Sequence, residues 1–286
     1  MKPAAFQYHA PKTVDAMLDL LATLGGDGKV IAGGQSLVPT MNFRLARPAH
    51  LFDLNTVTEL DSLRVLPDAL AIGALTRHAA FHRPVEDGPL GKLLTDVVHH
   101  IAHYPIRQRG TFCGSVAHAD PASEWCLVAA TLDATIVARS KKGARELRGG
   151  SFFSGIYATQ LREDEIITEV RLPRLDSTWR CGFYEFSRRA GDFALGMTLA
   201  AVRVESGKIK EARIGVGGVM DHPQRLKAVE DAMIGQAPDA KAFAAAGDIA
   251  SRVVEPMSDI HATAEYRRDL GRATTRRALE RAFAVG

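Results

Sequence analysis

The chain has 286 residues, 46% of them hydrophobic and 24% charged, with a formal net charge of +3. That length favours about two domains, and the composition is that of a globular protein with a proper core. The small charge, with no run of Lys or Arg, excludes a basic arm for nucleic acid, and no stretch approaches the roughly 20 apolar residues that span a bilayer.

Met1-Lys2 leads straight into Pro3-Ala4-Ala5-Phe6 without a signal-like apolar run, so a cytoplasmic location is the expectation. Cys113, Cys126 and Cys181 are an odd number at wide spacing, which argues against a disulfide framework. They also fall short of the thiolate set that holds an iron–sulfur cluster.

In chain order, residues 6–8 read as a strand and Thr13 as the N-cap of a helix whose apolar face is Val14, Met17, Leu18, Leu21 and Leu24. Residues 29–32 form an apolar strand that runs into Gly33-Gly34-Gln35-Ser36. A helical stretch broken near Pro39 and a strand at 51–54 complete a β-α-β-α-β start. A hairpin is expected at 63–66 and 69–72, then helices at about 76–82 and 90–103. Pro105 is expected to force an extended path after the second helix. Arg109 to Ser115 reads as a small-residue loop, 124–132 as helix, and 134–139 and 165–172 as strands. After about residue 177 come three antiparallel strands, at 183–187, 198–205 and 209–216, and then helices at 226–234, 240–254 and 264–284.

Two glycine loops carry the chemistry. Ala32-Gly33-Gly34-Gln35-Ser36 follows an apolar strand, where paired glycines let backbone N–H groups approach an anion and Ser36 adds a hydroxyl. The plain alternative is a tight strand-to-helix turn. Asp53 lies where a dinucleotide fold places its ribose acid, but the G-x-G-x-x-G spacing is absent. The second loop, Thr111-Phe112-Cys113-Gly114-Ser115, continues to Ala117, His118, Asp120 and Glu124. Two phosphate-friendly loops from separate segments suit a ligand with two phosphates. Gly34→Val is expected to put a side chain where phosphate would sit.

The first loop, together with Ile106-Arg107, Arg109-Gly110-Thr111, Gly114-Ser115 and Ala117-His118-Ala119-Asp120-Pro121, resembles the FAD-binding medium subunit of the molybdenum hydroxylases, the carbon monoxide dehydrogenase and xanthine dehydrogenase family. The two motifs lie about 75 residues apart, and their combination is far more specific than either alone. Asp164-Glu165-Ile166-Ile167 and Phe186-Ser187-Arg188-Arg189 with Gly191-Asp192-Phe193-Ala194 are similar to further family segments, so the likeness covers the whole chain.

The resemblance implies an α+β protein. Its FAD-binding region, of the vanillyl-alcohol-oxidase/PCMH type, would span 1–175 as subdomains of about 1–55 and 56–175. A C-terminal domain at 176–286 would pack a three-stranded antiparallel sheet on helices. FAD would contact Val30, Ile31, Ala32, Gly33, Gly34, Gln35, Ser36, Leu37, Ile101, Ala102, Thr111, Gly114, Ser115, Ala117, Asp120, Glu124, Ile166, Ile167, Tyr184 and Phe193. Glu124 matches an acidic ligand of ribose or ribityl hydroxyls. No catalytic or metal residue is implied on this chain.

By the same resemblance, the molybdenum cofactor lies on a large partner subunit and two two-iron–two-sulfur clusters on a small one, in a heterotrimer. The chain would pass electrons from the clusters to an external acceptor. The competing reading is a stand-alone FAD-dependent oxidoreductase. Two departures from the family pattern bear on the site: Cys113 replaces a glycine, and Tyr184 replaces a frequent lysine.

Other features admit plainer readings. His99 and His103 would share one face of a continuous helix, as metal ligands do. Cys126 beside Trp125 reads as core. Arg188 and Arg189 either pair with Asp192 or face a partner.

Overall fold

The computed structural model describes residues 1–284. It opens with β1 (Gln7–His9), α1 (Val14–Leu24), β2 (Gly28–Ile31), α2 (Leu37–Asn42) and β3 (His50–Asp53). The Thr13 hydroxyl accepts the Ala16 N–H at 3.2 Å, which satisfies one of the free donors at the start of α1. The strands form a parallel sheet in the order β1-β3-β2. Val14, Met17, Leu18 and Leu21 bury one stripe of α1 in the core.

Next come β4 (Leu63–Val65), β5 (Ala69–Gly73), α3 (Pro89–Val98), α4 (Tyr104–Arg107), α5 (Phe112–His118), α6 (Glu124–Thr131), β6 (Thr135–Ser140), β7 (Gly143–Arg148), α7 (Gly149–Phe152), β8 (Phe153–Gly155), β9 (Ala158–Thr159) and β10 (Ile166–Pro173). A sheet in the order β4-β5-β10-β6-β7, antiparallel throughout, forms the second layer. A bulge in β10 between Ile167 and Glu169 breaks the pairing with β6, beside two residues expected to contact the ligand.

The remaining elements are β11 (Trp179–Phe186), β12 (Gly196–Glu205), β13 (Lys208–Gly217), β14 (Gln224–Arg225), α8 (Lys227–Met233), α9 (Ala240–Val253) and α10 (Ala264–Ala282). Strand alternation divides two cores across this antiparallel sheet. Met197, Leu199 and Ala201 of β12 join the N-terminal core, whereas Ala200 and Val202 join the core under α8 to α10. Glycines permit the close packing: a Cβ on Gly182 would overlap the Ala278 carbonyl of α10, and one on Gly215 would overlap Thr131 of α6. The sheet is thus clasped between α10 and α6.

The elements depart from expectation at several points. The C-terminal sheet gains a fourth strand of two residues, β14. Residues 78–82 form a 3-10 helix, and β7 to β9 had no clear sequence pattern. Helix α3 stops at Val98 rather than running to His103, so His99 and His103 do not share a helix face. Pro105 sits in the first turn of α4 rather than in an extended segment. No intrahelical N–H bond is required there, so proline costs nothing. Pro39 is likewise accommodated in the first turn of α2. No helix among the described residues is long and apolar enough to cross a membrane.

Candidate functional site

The first loop leaves β2 and enters α2 through Gly34, whose φ of 71° is a left-handed value that glycine adopts without strain. Its carbonyl accepts the Val38 N–H at 3.0 Å. The backbone N–H groups of Gly34, Gln35, Ser36 and Leu37 donate to no acceptor among the described residues. Such successive free donors make a concavity suited to an anion.

The second loop is in fact the start of a helix. Thr111 caps α5, its hydroxyl accepting the Gly114 N–H at 3.0 Å, and Phe112, Cys113 and Val116 face the core. Cys113 is therefore helical and unstrained, and its thiol donates to the Ile72 carbonyl at 3.5 Å. Burial pushes that thiol well above its usual range. A glycine is not needed at this position in this chain.

The two loops cross in contact. A Cβ on Gly33 would overlap the Arg109 carbonyl and lie 2.6 Å from Gly110 Cα. A network fixes the crossing: Arg77 donates to the Arg109 carbonyl at 2.5 Å and to Asn55 Oδ1 at 2.6 Å, while Asn55 Nδ2 donates to the Ala32 carbonyl at 2.7 Å. Asp53 accepts from the Asn55 N–H and from the Tyr8 hydroxyl. Its carboxylate works as a brace, which disposes of the ribose-acid reading.

Around the crossing runs a groove of about 710 Å³, within the range of small-molecule and cofactor sites. Val30 to Leu37, Thr111, Gly114, Ser115, Ala117, Ile166 and Ile167 all line it. Residues that sequence reasoning missed line it too, among them His78, His118, Tyr157 and Arg162. Tyr157 holds a strained φ of 55°, donates its hydroxyl to Asp120 Oδ2 at 3.2 Å, and lies against His118 with ring centroids 4.9 Å apart. Asp120 thus reaches the groove through Tyr157. Only its place beside the second loop in sequence pointed toward His118, and no local pattern marks Tyr157. The free donors of the first loop, the close backbone crossing with the second and the apolar walls fit the two phosphates and flat rings of FAD.

The other expected contacts lie outside this groove, where α3 and the C-terminal sheet meet. Ala102 adopts a φ of 41° after Ile101, and Arg107 clamps the turn by donating to both their carbonyls, at 2.8 and 3.0 Å. The loop carrying Phe193 lies on this turn: a Cβ on Gly191, at φ 86°, would overlap the His103 ring. Phe193 itself is 75% exposed. Gly191→Ala should therefore destabilise the chain by roughly 1–3 kcal/mol, read by denaturant unfolding. A loss below about 0.5 kcal/mol, the size of an ordinary surface change, would contradict this packing.

Tyr184 sits between Arg277 and Arg281 of α10, whose guanidinium carbons lie 4.9 and 4.6 Å from the ring centre, and its hydroxyl accepts from Arg277 at 2.5 Å. Positive charge therefore stands beside this position although the frequent lysine is absent. Glu124, in the first turn of α6, lies near Glu185 of β11, whose carboxyl feels its charge. Burial pushes Glu124 up to about 7, with Asp120 adding negative charge, and pushes Glu185 up to about 9, with Glu124 adding its own. Glu185 Oε2 has no hydrogen-bond partner. Cys126 is buried with its thiol on the Ser115 carbonyl, as a core residue. Neither Arg188 nor Arg189 forms an ion pair with Asp192 among the described residues.

Comparison with known proteins agrees with this geometry. A family described as the FAD binding domain in molybdopterin dehydrogenase matches residues 4–175, and the CO dehydrogenase flavoprotein C-terminal domain matches residues 182–282. The chain is 36% identical to the nicotine 6-hydroxylase medium subunit of Paenarthrobacter nicotinovorans, over 99% of both chains. It is 32% identical to the carbon monoxide dehydrogenase medium chain of Hydrogenophaga pseudoflava, again over 99% of both. A solved structure of the carbon monoxide dehydrogenase of that organism matches with a TM-score of 0.95 at 33% identity, covering 99% of each chain. Quinoline 2-oxidoreductase from Pseudomonas putida 86 matches with a TM-score of 0.91 at 35% identity, covering 99% of this chain and 98% of that one. The chain is an oxidoreductase flavoprotein and belongs to the FAD-binding medium subunits of the molybdenum hydroxylase family.

Proposed function

We propose that this chain carries electrons from iron–sulfur clusters of a small partner subunit to an external acceptor, within a complex whose large subunit holds molybdenum and substrate. The observation that carries this reading is the crossed pair of glycine loops, which line one groove and of which the first offers the free N–H groups of Gly34 to Leu37. In it, Gly33 to Leu37 and Thr111 to Ser115 hold the pyrophosphate. Ile166 and Ile167 wall the ring system, which reaches beyond the groove toward Ile101, Ala102, Phe193 and Tyr184, and Glu124, also outside the groove, receives sugar or ribityl hydroxyls. The flavin, when bound, supplies reversible electron uptake, and these residues supply orientation and electrostatics. Val30 to Leu37 exclude water from one side, and Arg277 and Arg281 add positive charge near Tyr184. The chain divides in this reading at about residue 175.

Three scattered cysteines cannot hold the clusters, so partner chains follow. The purified chain should bind FAD and show flavin absorbance that dithionite bleaches. Nicotine, caffeine or carbon monoxide, the compounds in relatives' names, should leave it oxidised. Bleaching by the cognate substrate should require the large and small chains. Reduction of the isolated chain by an organic substrate, at the rate of the complex, would overturn this reading and favour a stand-alone oxidoreductase.

A further inference from the structure

We infer that the His78 imidazole is an additional contact of the bound dinucleotide, presenting its Nε2–H to the pyrophosphate from the floor of the groove. This inference rests on the FAD reading above and adds a residue outside both glycine loops. His78 is only 4% exposed, yet it lines the groove with Leu54, Ala74 and Gly110. Its backbone N–H donates to the Gly110 carbonyl at 3.0 Å. The ring lies directly over Gly110, because a Cβ there would overlap Nε2 and fall 2.6 Å from Cδ2. The Gly33–Gly110 crossing is thus stacked upon this ring.

The proton position follows from the neighbour. Trp125 Nε1 donates to His78 Nδ1 at 2.9 Å, and an indole N–H can only donate. Nδ1 must therefore be the bare nitrogen, and the neutral ring carries its proton on Nε2. Among the described residues no acceptor takes that proton, the ring's one hydrogen bond being at Nδ1. Protonation of the ring is opposed first by burial and then by Arg107 and Arg77, which pull its pKa down to about 3. The donor is therefore neutral and fixed in direction throughout the physiological range. An oriented donor that lines the groove without a protein acceptor, near the free backbone donors of the first loop, is placed to serve a ligand that accepts from it. The phosphates supply the complementary acceptors.

Two measurements test the assignment on the full chain. First, long-range ¹H–¹⁵N spectra of histidine-labelled apo protein should show His78 as the Nε2–H tautomer, unchanged from pH 5 to 8. Added FAD should shift that Nε2–H signal, and riboflavin, which lacks the phosphates, should not. An Nδ1–H tautomer, no shift with FAD, or the same shift with riboflavin would each overturn the contact. Failure of wild-type chain to bind FAD would instead remove the FAD reading itself.

Second, His78→Phe should weaken FAD binding on the order of tenfold or more, as loss of a hydrogen bond to a charged group does, with riboflavin binding changed less than twofold. His78→Gln can accept from Trp125 and still donate, so it should recover most of the affinity. Equal weakening for both ligands, or none, would make His78 a packing residue only. If His78→Phe does not fold, the spectra of the wild-type chain still decide.

Discussion

Gly33→Val should abolish FAD retention, with a loss of affinity of at least a hundredfold. The side chain would enter neither solvent nor a flexible neighbour but the backbone of the second loop, where a Cβ already overlaps the Arg109 carbonyl. The Arg77–Asn55 network holds that backbone in place, so the loops can separate only by breaking it. Separation would spoil the convergence of donors that two phosphates require, and overpacking of this kind costs roughly 1–3 kcal/mol in stability as well. Gly26→Ala is the control, because Gly26 lines the same groove and a Cβ there meets nothing within 4 Å. Flavin content after gel filtration, with circular dichroism to verify folding, reads the outcome. Full flavin in a folded Gly33→Val protein would sink the crossed-loop account.

At Gly34 the expected cause of damage changes. A Cβ would meet Ile31 Cδ1 at 3.1 Å and Val38 Cγ2 at 3.3 Å, and the backbone sits at φ 71°. Valine would fail there mainly through strain and crowding of the loop's own walls, not by occupying a phosphate position.

The part of the site that was legible in the sequence is the part written in local pattern. Glycine pairs after an apolar strand, and a hydroxyl before a small-residue run, announce backbone that must approach something closely. The structure brings both runs to one groove. What local pattern conceals is the partner of each glycine. Nothing near Gly110 in sequence points to His78, which is thirty-odd residues away and covers it. The same blindness misread Pro105. As a breaker it announces an extended path, but in a first turn it is harmless, and α4 forms. Helix α3 carried the converse error: apolar spacing continues through Ile101, yet the chain turns at Ala102, where Arg107 satisfies the two freed carbonyls. That turn depends on a residue five positions ahead, which periodicity does not weigh. The C-terminal strands were legible because alternation is strict where a sheet separates two cores, and β12 shows this most clearly. The Glu124–Glu185 pair was not legible, since an acid in a first helical turn is ordinary and Glu185 is about sixty positions away.

That pair makes the stability of the apo chain depend on pH with a definite sign. Both carboxyls have raised values in the folded state, about 7 for Glu124 and about 9 for Glu185, against 4.5 unperturbed, first because of burial. Between the unperturbed and folded values the native chain holds protons that the unfolded chain has released. Stability is then complete below about pH 4.5 and falls as pH rises through 7 and toward 9. Other carboxylates act in the opposite sense at lower pH, since Arg145 holds Glu165 below its usual range and so favours the fold above acid pH. His78, His82, His100 and His118, lowered first by burial, also add stability as pH rises through their ordinary range, and the buried cysteine thiols lose it near pH 9, so the window from about pH 7.5 to 8.5 isolates the pair.

Glu185→Gln keeps shape and hydrogen bonding but cannot ionise. It should flatten the decline and, at pH 9, make the apo chain more stable than the parent by about 1–3 kcal/mol, the cost of an unsatisfied buried polar group. Glu124→Gln should flatten it as well, and the double variant should flatten it further than either alone, because burial, the first cause for both, acts on each acid separately. Urea melts of apo protein at half-unit pH steps give the curve directly. A parent curve that is flat across this window, or a Glu185→Gln curve that falls as steeply as the parent's, would mean that solvent reaches the pair and screens it. With FAD present the same series separates the roles of the two acids. If Glu124 receives a sugar or ribityl hydroxyl, Glu124→Gln should weaken FAD binding more than it alters the apo melt, whereas Glu185→Gln should act on the melt alone.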